Sequence, residues 1–264
     1  MALTAERVQS RLASRAVRFY ARADSTNDLA LDWLRAGAAA GSVVVADEQV
    51  KGRGRLGRTW YTPPGTALIV SVVLRPTAEA LGRVTMLGAV AIAEVVEQLP
   101  HPLAPSPSNG EGEQDRFTVG IKWPNDVQVN GQKVSGVLSE AVWEGDRLRG
   151  AVLGMGVNVQ IDFSGTELAH TAISLEPAFG LTVDRLDLLA DLLARVDYWT
   201  ARIGSNALFE AWKSRLNMLG KTVTLLNGTI QGVAESVEPS GALLVRDATG
   251  TIHRMMAGDI GLGS

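Results

Sequence analysis

The chain has 264 residues, a formal net charge of −3 and no cysteine. A chain of this length can bury one large core, or a main domain and a small one, without help from metals or disulfides. The lack of cysteine excludes disulfides and thiolate chemistry and is compatible with a reducing cytosol, so we expect a cytoplasmic protein. The mildly acidic charge argues against a protein coated in nucleic acid or anionic lipid, because such binders carry a broad basic surface.

The sequence contains no pattern typical of a targeting or membrane segment. Residues 1–19 carry charges throughout and lack the apolar run and the small-residue cleavage site of a secretory signal. The longest apolar run, at residues 66–74, is too short to cross a bilayer. We therefore expect no association with a membrane.

The first predicted elements are a strand and an amphipathic helix. Residues 17–22 alternate apolar and polar side chains, which is typical of a half-exposed strand. Residues 24–37 open with capping residue types and end at a glycine, which predicts a short helix. On that helix Leu29, Trp33 and Leu34 are expected to share the apolar face.

Two buried strands, a long helix and an insertion follow. Residues 42–46 and 66–74 are continuous apolar runs that predict strands, with a loop between them. Residues 78–99 have helical periodicity. Residues 100–116 are rich in Pro, Ser and Gly and poor in apolar residues, so we expect a mobile surface insertion there.

The second half of the chain predicts an antiparallel meander, two helices and a small β-module. Residues 117–123 predict a strand, and turn signals at Asn130-Gly131 and Gly145-Asp146 separate the β-rich runs that follow. Residues 182–203 and 205–219 predict a helical pair. From residue 221 onward, short strands alternate with Asn-Gly, Ser-Gly and Thr-Gly turns. That pattern is typical of a small β-barrel of about fifty residues.

The most distinctive stretch is KGRGRLGRTW at residues 51–60. Its glycines satisfy the G-x-G-x-x-G spacing of dinucleotide-binding folds, but that fingerprint must open a helix whose N-terminus holds a pyrophosphate. Here two prolines follow at once and lead into the strand at residues 66–74. The stretch therefore predicts a loop rather than a dinucleotide site.

The arginines of this loop suit an anionic ligand. Arg53, Arg55 and Arg58 carry planar, permanently charged groups that pair with carboxylates and phosphates, and the intervening glycines permit close approach. A solvated hairpin whose arginines pair with surface carboxylates is the alternative. We favour the anion site, because repeated glycine costs backbone entropy without benefit to a merely soluble loop.

Three further polar clusters are candidates for binding. KWPND at residues 122–126 places a cation, an amide and a carboxylate around a proline, although an ordinary turn has the same pattern. Lys133 stands at the edge of an apolar strand, where a lysine can also simply reach solvent. Ser25, Thr26 and Asn27 either begin a helix or hydrogen-bond a neutral polar group.

Glycines inside predicted strands indicate close approach of a ligand or of another backbone. Gly136 is one such position, and Gly154 with Gly156 forms a second. Asn158 nearby is either a polar anchor or a turn residue. The three histidines are far apart and lack the spacing of metal ligands, so no metal site is predicted.

The order of these clusters resembles that of the biotin protein ligases. The matching elements are Ser-Thr-Asn at residues 25–27, Gln49 with GRGRLGR and Trp60, then KWPNDV, KVSGVL and GMGVN. The resemblance covers nearly the whole chain. It implies an α+β fold: a class II synthetase-like catalytic domain at residues 1–218, with a mixed, mainly antiparallel sheet and flanking helices, and an SH3-like β-barrel at residues 219–264.

The resemblance also implies chemistry and partners. Such enzymes join biotin and ATP, the latter with Mg²⁺, to give biotinyl-5′-adenylate and pyrophosphate, and then transfer biotin to a lysine of a biotin carboxyl carrier domain. The sequence begins just before the catalytic domain, so we expect no winged helix-turn-helix and no DNA-binding role. Family members are monomers or homodimers, and the sequence favours neither.

Roles for single residues follow from the resemblance. The predicted catalytic residues are Lys133, Arg53 and Asp126, the last as the carboxylate that helps to deprotonate the incoming lysine. Arg53, Arg55 and Lys133 would meet the biotin carboxylate and the α-phosphate. The predicted biotin-binding residues are Ser25, Thr26, Asn27, Gln49, Arg53, Gly54, Arg55, Trp60, Lys133 and Gly136. The predicted ATP-binding residues are Arg55, Arg58, Lys122, Asn125 and Asn158.

Two other functions remain open as alternatives to a biotin protein ligase. A lipoate or octanoate ligase on a similar scaffold would need an apolar tunnel without partners for a ureido ring, which Ser25, Thr26, Asn27 and Gln49 speak against. A non-catalytic module that binds anions or nucleic acid would use the basic loop and the terminal β-barrel, but the acidic net charge and the absence of stacked aromatics near the loop count against it. Residues 161–174 lie where a loop covering the nucleotide is expected, but no adenine-stacking aromatic is identified in them.

Overall fold

The structure is a computed structural model that describes most of the chain. The described residues are 2–100, 117–225, 228, 230–256, 258 and 260–262. The predicted insertion therefore lies outside the described residues, apart from Pro100 at its start.

A seven-stranded sheet forms the main domain. In chain order its strands are β1 (Val17–Tyr20), β2 (Val43–Ala46), β3 (Ala67–Leu74), β4 (Val119–Lys122), β5 (Asp126–Val129), β6 (Gln132–Glu144) and β7 (Arg147–Asn158). The spatial order is β1-β2-β3-β7-β6-β5-β4. β1 and β2 are parallel and the other neighbours are antiparallel, which confirms the predicted mixed, mainly antiparallel sheet.

Helices cover both faces of this sheet. They are α1 (Ala5–Arg11), α2 (Thr26–Arg35), α3 (Val84–Glu97), α4 (Leu175–Phe179), α5 (Arg185–Thr200) and α6 (Asn206–Lys213). Successive residues of a strand point to opposite faces, so neighbours on β2 separate the two layers. Val44 packs in one cluster with α2, whereas Val43 and Val45 pack in the large core that contains α3, α5 and α6. None of the helices in the described part of the chain is long and apolar enough to span a lipid bilayer.

The predicted apolar face of α2 is confirmed, because Leu29, Trp33 and Leu34 pack in one apolar cluster, and the face is wider than predicted. Leu34 is buried as expected, but Leu29 and Trp33 are half-buried, and the buried stripe continues through Ala30 and Leu31. The stripe begins with Asn27, one turn earlier, which is buried at 5% exposure because its amide is hydrogen-bonded. The inward face of α2 therefore begins with a buried polar residue and continues with apolar ones.

Two predicted helices are shorter than the periodicity indicated. α3 begins at Val84 after a 3₁₀ turn, and α6 ends at Lys213. The residues after α6 run beside β4 instead: Ile121 N donates to Arg215 O at 2.7 Å, and Asn217 N donates to Ile121 O at 3.1 Å. This pairing satisfies backbone groups of β4, which is an edge strand of the sheet.

The C-terminal part forms its own antiparallel sheet of five strands, as predicted for a small β-domain. They are β8 (Thr222–Leu225), β9 (Ile230–Val237), β10 (Leu243–Asp247), β11 (Ile252–Met255) and β12 (Ile260–Leu262), in the order β11-β10-β9-β8-β12. The turn between β9 and β10 contacts the main domain, because Trp123 Nε1 donates to Gly241 O at 2.9 Å. The small domain therefore touches the KWPND segment directly.

Candidate active site

One cavity of about 460 Å³ collects the polar clusters singled out in the sequence. This volume lies within the range of roughly 300–1,000 Å³ that is usual for small-molecule sites. The cavity lies above β3, β6 and β7, beneath the chain that connects β2 to β3. Every predicted site residue lines it, namely Ser25, Thr26, Asn27, Gln49, Arg53, Gly54, Arg55, Arg58, Trp60, Lys122, Asn125, Asp126, Lys133, Gly136 and Asn158.

Residues 51–60, called the glycine-arginine loop below, form a small closed turn over this cavity. Gly54 N donates to Arg58 O at 2.7 Å, and Trp60 N donates to Gly52 O at 2.8 Å. A Cβ on Gly52 would lie 2.6 Å from Trp60 O, so the chain passes itself too closely for any other residue. The loop leads into β3 rather than a helix, which confirms that it is not a dinucleotide fingerprint.

Uncharged hydrogen-bonding groups line one end of the cavity. We call this set the polar wall: Thr26, Asn27 and Gln49 line the cavity, and Ser71 lies buried behind them in contact with Thr26 and Asn27. Gln49 Oε1 accepts from Thr26 N at 2.7 Å and from Thr26 Oγ1 at 3.0 Å. Ser71 Oγ lies 2.7 Å from Asn27 Oδ1 and 2.8 Å from Thr26 Oγ1. Because its carbonyl oxygen already accepts two bonds, Gln49 has its amide nitrogen left to donate to a bound molecule.

Ser25, which precedes Thr26 of the polar wall, caps a helix. It is the N-cap of α2, and its Oγ accepts from Asp28 N at 3.4 Å. Its hydroxyl proton can still be donated into the cavity, so the helix-start and ligand-binding interpretations of this residue are compatible.

Glycines make the middle of the cavity floor flat enough for an aromatic ring. A Cβ on Gly156 would lie 2.7 Å from the Trp60 ring, and one on Gly136 would lie 3.1 Å from it. A Cβ on Gly154 would lie 2.1 Å from Asn27 Oδ1. The sequence predicted close approach at these glycines. The approaching groups, however, are the side chains of Trp60 and Asn27 rather than another backbone.

At the other end of the cavity three basic side chains interact with one carboxylate, and a fourth lies beside them. This cation cluster consists of Arg55, Arg58, Lys122 and Lys133, and the carboxylate is Asp126. Lys133 Nζ lies 2.8 Å from Asp126 Oδ1 and 5.2 Å from the centre of the Trp60 ring. The local charge is therefore positive although the chain as a whole is acidic.

Burial and mutual repulsion affect the pKa values in the cation cluster. Burial is the largest cause that lowers the pKa of Lys122, Asp126 opposes it, and the neighbouring cations Lys133 and Arg58 lower it further. Burial likewise lowers the pKa of Arg55, again opposed by Asp126. Cations held together against desolvation and repulsion are typical of a site that gains an anion.

A β-bulge gives Lys133 its position. The register between β5 and β6 shifts between Val127 and Gln128, so that Lys133 pairs with Gln128 while Gly136 pairs with Asp126. In a regular strand, residues three apart point to opposite faces. The extra residue brings both Lys133 and Gly136 to the cavity side, where both line its wall.

The side chains of the two predicted asparagines form hydrogen bonds that connect neighbouring segments around the cavity. Asn125 Oδ1 accepts from Arg55 at 3.0 Å, and its Nδ2 donates to Val137 O at 2.8 Å. Asn158 Nδ2 donates to Lys133 O at 3.3 Å and to Ile173 O at 3.1 Å. Contact of either residue with ATP stays a prediction.

Arg53 differs from the other two arginines of its loop. Its guanidinium forms an ion pair with Asp28 of α2, and a second with Glu140 of β6 at 3.1 Å. It lines the same cavity, but it lies against two carboxylates rather than within the cation cluster. Its predicted contact with a substrate anion is untested.

Two residues that support the site were missed in the sequence: Ser71 and Glu140 do not line the cavity but contact residues that do. Ser71 is inside an apolar run, and Glu140 is in a long strand whose polar positions look solvent-facing. The segment expected to cover a nucleotide does border the cavity, and it is joined to β6 because Lys133 N donates to Thr171 O at 2.8 Å. Its residues on the cavity are Phe163, Leu168, His170, Thr171 and Ala172.

Two sequence profiles match the chain. The profile of the Biotin/lipoate A/B protein ligase family matches residues 19–158. The profile of the Biotin protein ligase C terminal domain matches residues 218–263. The first covers the polar wall and the cation cluster, and the second covers the small β-domain.

Characterised relatives are similar over most of the chain. The biotin--[acetyl-CoA-carboxylase] ligase of Paracoccus denitrificans is 35% identical over 243 residues, which are 87% of this chain and 94% of that protein. The bifunctional ligase/repressor BirA of Bacillus spizizenii is 33% identical over 250 residues, which are 90% of this chain and 71% of that protein.

Solved structures share the fold. The biotin protein ligase from Aquifex aeolicus in complex with biotin and ATP matches with a TM-score of 0.74 at 28% identity, over 94% of this chain and 98% of that chain. The enzyme from Leishmania major in complex with biotinyl-5-AMP matches with a TM-score of 0.60 at 24% identity, over 92% of this chain and 99% of that chain.

Proposed function

The chain belongs to the biotin/lipoate A/B protein ligase family, and on that premise we propose that it activates biotin with ATP and transfers it to a lysine of a biotin carboxyl carrier domain. The observation that carries this proposal is a single cavity with an uncharged polar wall at one end and four cations at the other. A ureido ring needs neutral donors and acceptors, whereas a carboxylate and a triphosphate need cations. Biotin with ATP has all three groups.

The adenylation step needs charge neutralisation more than acid–base chemistry. A carboxylic acid is already ionised near neutral pH, so no base is required to activate it. A carboxylate oxygen then bonds to the α-phosphorus while the bond from that phosphorus to pyrophosphate breaks. At ~4 Å and an effective dielectric of about 20, each pair of like unit charges costs on the order of 4 kcal/mol. The cation cluster offsets that repulsion, with Arg55 and Lys133 at the reacting groups and Arg58 and Lys122 nearer the triphosphate.

The transfer step requires a neutral amine. The acceptor lysine has an ordinary pKa of about 10.4 and is mostly protonated at neutral pH. Asp126 is the carboxylate within the cation cluster, and it takes up the amine proton as the nitrogen attacks the acyl carbon. The bond from the acyl carbon to the phosphate oxygen breaks, and AMP leaves.

Trp60 and the glycine floor hold the apolar part of biotin between the two ends. Trp60 lies against Gly136 and Gly156, between the polar wall and Lys133. An aromatic face over a flat floor suits the sulfur-containing ring and the aliphatic chain.

Mg²⁺ would enter the site with ATP. This ion keeps several of its waters and usually needs only one or two protein carboxylates beside phosphate oxygens. Asp126, the carboxylate at the cationic end, would hold the ion through an oxygen not paired with Lys133. When bound, the ion neutralises phosphate charge in the same way as the cation cluster does.

The chain divides into two functional parts in this proposal. Residues 1–218 form the catalytic domain, and residues 219–264 form the β-domain that contacts the KWPND segment through Gly241. A lipoate or octanoate ligase is the second candidate for the scaffold. The polar wall disfavours it, because an apolar acyl chain would leave those hydrogen-bonding groups without partners.

Pyrophosphate exchange tests the adenylation step. The protein is incubated with Mg-ATP, labelled pyrophosphate and either biotin or lipoate, and label entering ATP is measured. We expect exchange that depends on biotin and is absent with lipoate. Exchange supported by lipoate alone, or by neither acid, would overturn the proposal.

A further inference from the structure

Two carboxylates from different elements hold Arg53 in place. Arg53 Nη2 lies 3.1 Å from Glu140 Oε2 and 3.3 Å from Glu140 Oε1, and it also pairs with Asp28. Asp28 belongs to the first turn of α2, and Glu140 belongs to the middle of β6. The glycine-arginine loop is thereby tied across the cavity to both walls.

Glu140 also contacts the polar wall. Asn27 Nδ2 donates to Glu140 Oε2 at 2.7 Å, and Asn27 Oδ1 lies 2.7 Å from Ser71 Oγ. The same carboxylate therefore orients the Asn27 amide and holds the arginine of the loop. A change in the position of the loop is transmitted to the polar wall through a single side chain.

The charge balance around Arg53 is opposite to that of the cation cluster. Arg53 faces two carboxylates, whereas Asp126 at the other end is the one carboxylate in a cluster of four cations. A substrate anion that approached Arg53 would meet Asp28 and Glu140 as well, and like charges repel. The arginine is thus placed to hold the loop rather than to bind an anion.

From these contacts we propose that Asp28 and Glu140 are positioning residues that latch the glycine-arginine loop closed through Arg53. The proposal rests on the proposed function for the identity of the substrate, but the latch itself is a property of the unliganded chain. In this role the pair controls how long biotin and its adenylate stay bound, and Arg53 does not take part in the reaction at the phosphate.

The exposure of the three side chains fits a latch that opens. Arg53, Asp28 and Glu140 retain 44%, 53% and 27% of their side-chain exposure. Ion pairs that reach solvent are weak and are screened by salt. The loop can therefore release for substrate entry, and added salt should favour the open state.

Limited trypsin digestion of the unliganded protein tests the latch without any assay of activity. Trypsin cuts after the four basic residues of the loop, and peptide mass identifies cleavage there. We expect Glu140→Gln and Asp28→Asn each to speed loop cleavage by about fivefold, the scale of a half-exposed ion-pair network. Added salt should speed cleavage of the wild-type loop and affect both variants less.

Glu144→Gln is the matched control. Glu144 is on the same strand, and its carboxylate pairs with Arg149 at 3.0 Å away from the loop. This variant should be cleaved like wild type. The proposal is wrong if Glu140→Gln and Asp28→Asn are cleaved in the loop no faster than Glu144→Gln. It is also wrong if the rate of cleavage rises equally at sites outside the loop.

Kinetics distinguish a latch from a catalytic role. Glu140→Gln keeps an oxygen that can accept from Asn27, so the variant removes charge rather than the hydrogen bond. It should raise the KM for biotin by about fivefold and leave kcat and the KM for ATP unchanged.

The double variant that combines Glu140→Gln with Arg53→Gln should have a KM for biotin no higher than that of Arg53→Gln alone. A loss of kcat in Glu140→Gln, or additive losses in the double variant, would contradict the latch. Absence of all biotin-dependent activity in wild type would instead defeat the proposed function.

Discussion

Lys133 Nζ lies 2.8 Å from Asp126 Oδ1, across the pair of strands β5 and β6 whose register shifts beside them. The pair joins the residue proposed to neutralise the reacting groups to the residue proposed to accept the amine proton. Binding of a substrate anion near Lys133 would compete with Asp126 for the same ammonium group. If the two residues have the roles proposed above, this contact links the adenylation step to the transfer step.

Lys133→Ala should abolish adenylate formation while the protein stays folded. Removal of one preorganised charge from a transition state commonly costs about 100-fold to 1,000-fold in rate, and we expect a loss of this size in biotin-dependent pyrophosphate exchange. Lys51→Ala is the control, because Lys51 is exposed and pairs with Asp24 outside the cavity. Wild-type exchange in Lys133→Ala would show that the anion site is assigned wrongly.

Gly156→Ala should displace Trp60. The added Cβ would lie 2.7 Å from the ring, which neither the strand nor the ring can accommodate without movement. Overpacking of this kind costs about 1–3 kcal/mol, so we expect a lower free energy of unfolding in urea and a raised KM for biotin. At Gly204 an added Cβ meets no atom within 4 Å, and Gly204→Ala should match wild type in both measurements. Equal free energies of unfolding and equal KM values for biotin in the two variants would contradict the close packing of Trp60 on Gly156.

The KM for ATP should rise with pH on the alkaline side. Burial lowers the pKa of Lys122, so this side chain loses its charge at a lower pH than an ordinary lysine. A triphosphate binds the charged form, and affinity is therefore full below that lowered pKa and lost as pH rises through it. Lys122→Arg keeps its charge at high pH and should flatten the rise. The same pH profile of the KM for ATP in both proteins would contradict this role.

Asp47 should contribute strongly to stability although it does not line the cavity. Its carboxylate pairs at 2.7 Å with Arg185, whose side chain is only 5% exposed and which begins α5. Asp47→Ala leaves that buried cation without its carboxylate and with only the carbonyl oxygen of Ala67, 3.0 Å away, which costs about 3 kcal/mol or more in free energy of unfolding. Asp32→Ala removes an exposed partner of Arg35 and should cost less than about 0.5 kcal/mol. Similar urea midpoints for the two variants would contradict the expectation.

Local sequence patterns predicted those features whose conformation depends on a few neighbouring residues. The turn at residues 130–131 is an example, since Asn130 and Gly131 adopt φ values of 49° and 81°, which Asn-Gly tolerates better than other pairs. The exit of the glycine-arginine loop into a strand was predictable because of the prolines that follow it. The order of the motifs then indicated the family and gathered the residues that line the cavity.

Features that depend on the pairing of distant strands could not be predicted. Ser71 looks like a polar interruption of an apolar strand until Asn27 is seen 2.7 Å away. The bulge that turns Lys133 to the same side as Gly136 leaves no signature in the sequence. Likewise, the partners of Arg53 lie 25 and 87 residues away along the chain. No local pattern reports such contacts.

The most direct measurement of the central claim is the intact mass of an apo biotin carboxyl carrier domain after incubation with this protein and Mg-ATP. With biotin present, we predict that the carrier gains the mass of one biotinyl group on its acceptor lysine, and that lipoate gives no change. A carrier that stays unmodified with biotin, or that gains a lipoyl group instead, would contradict the account.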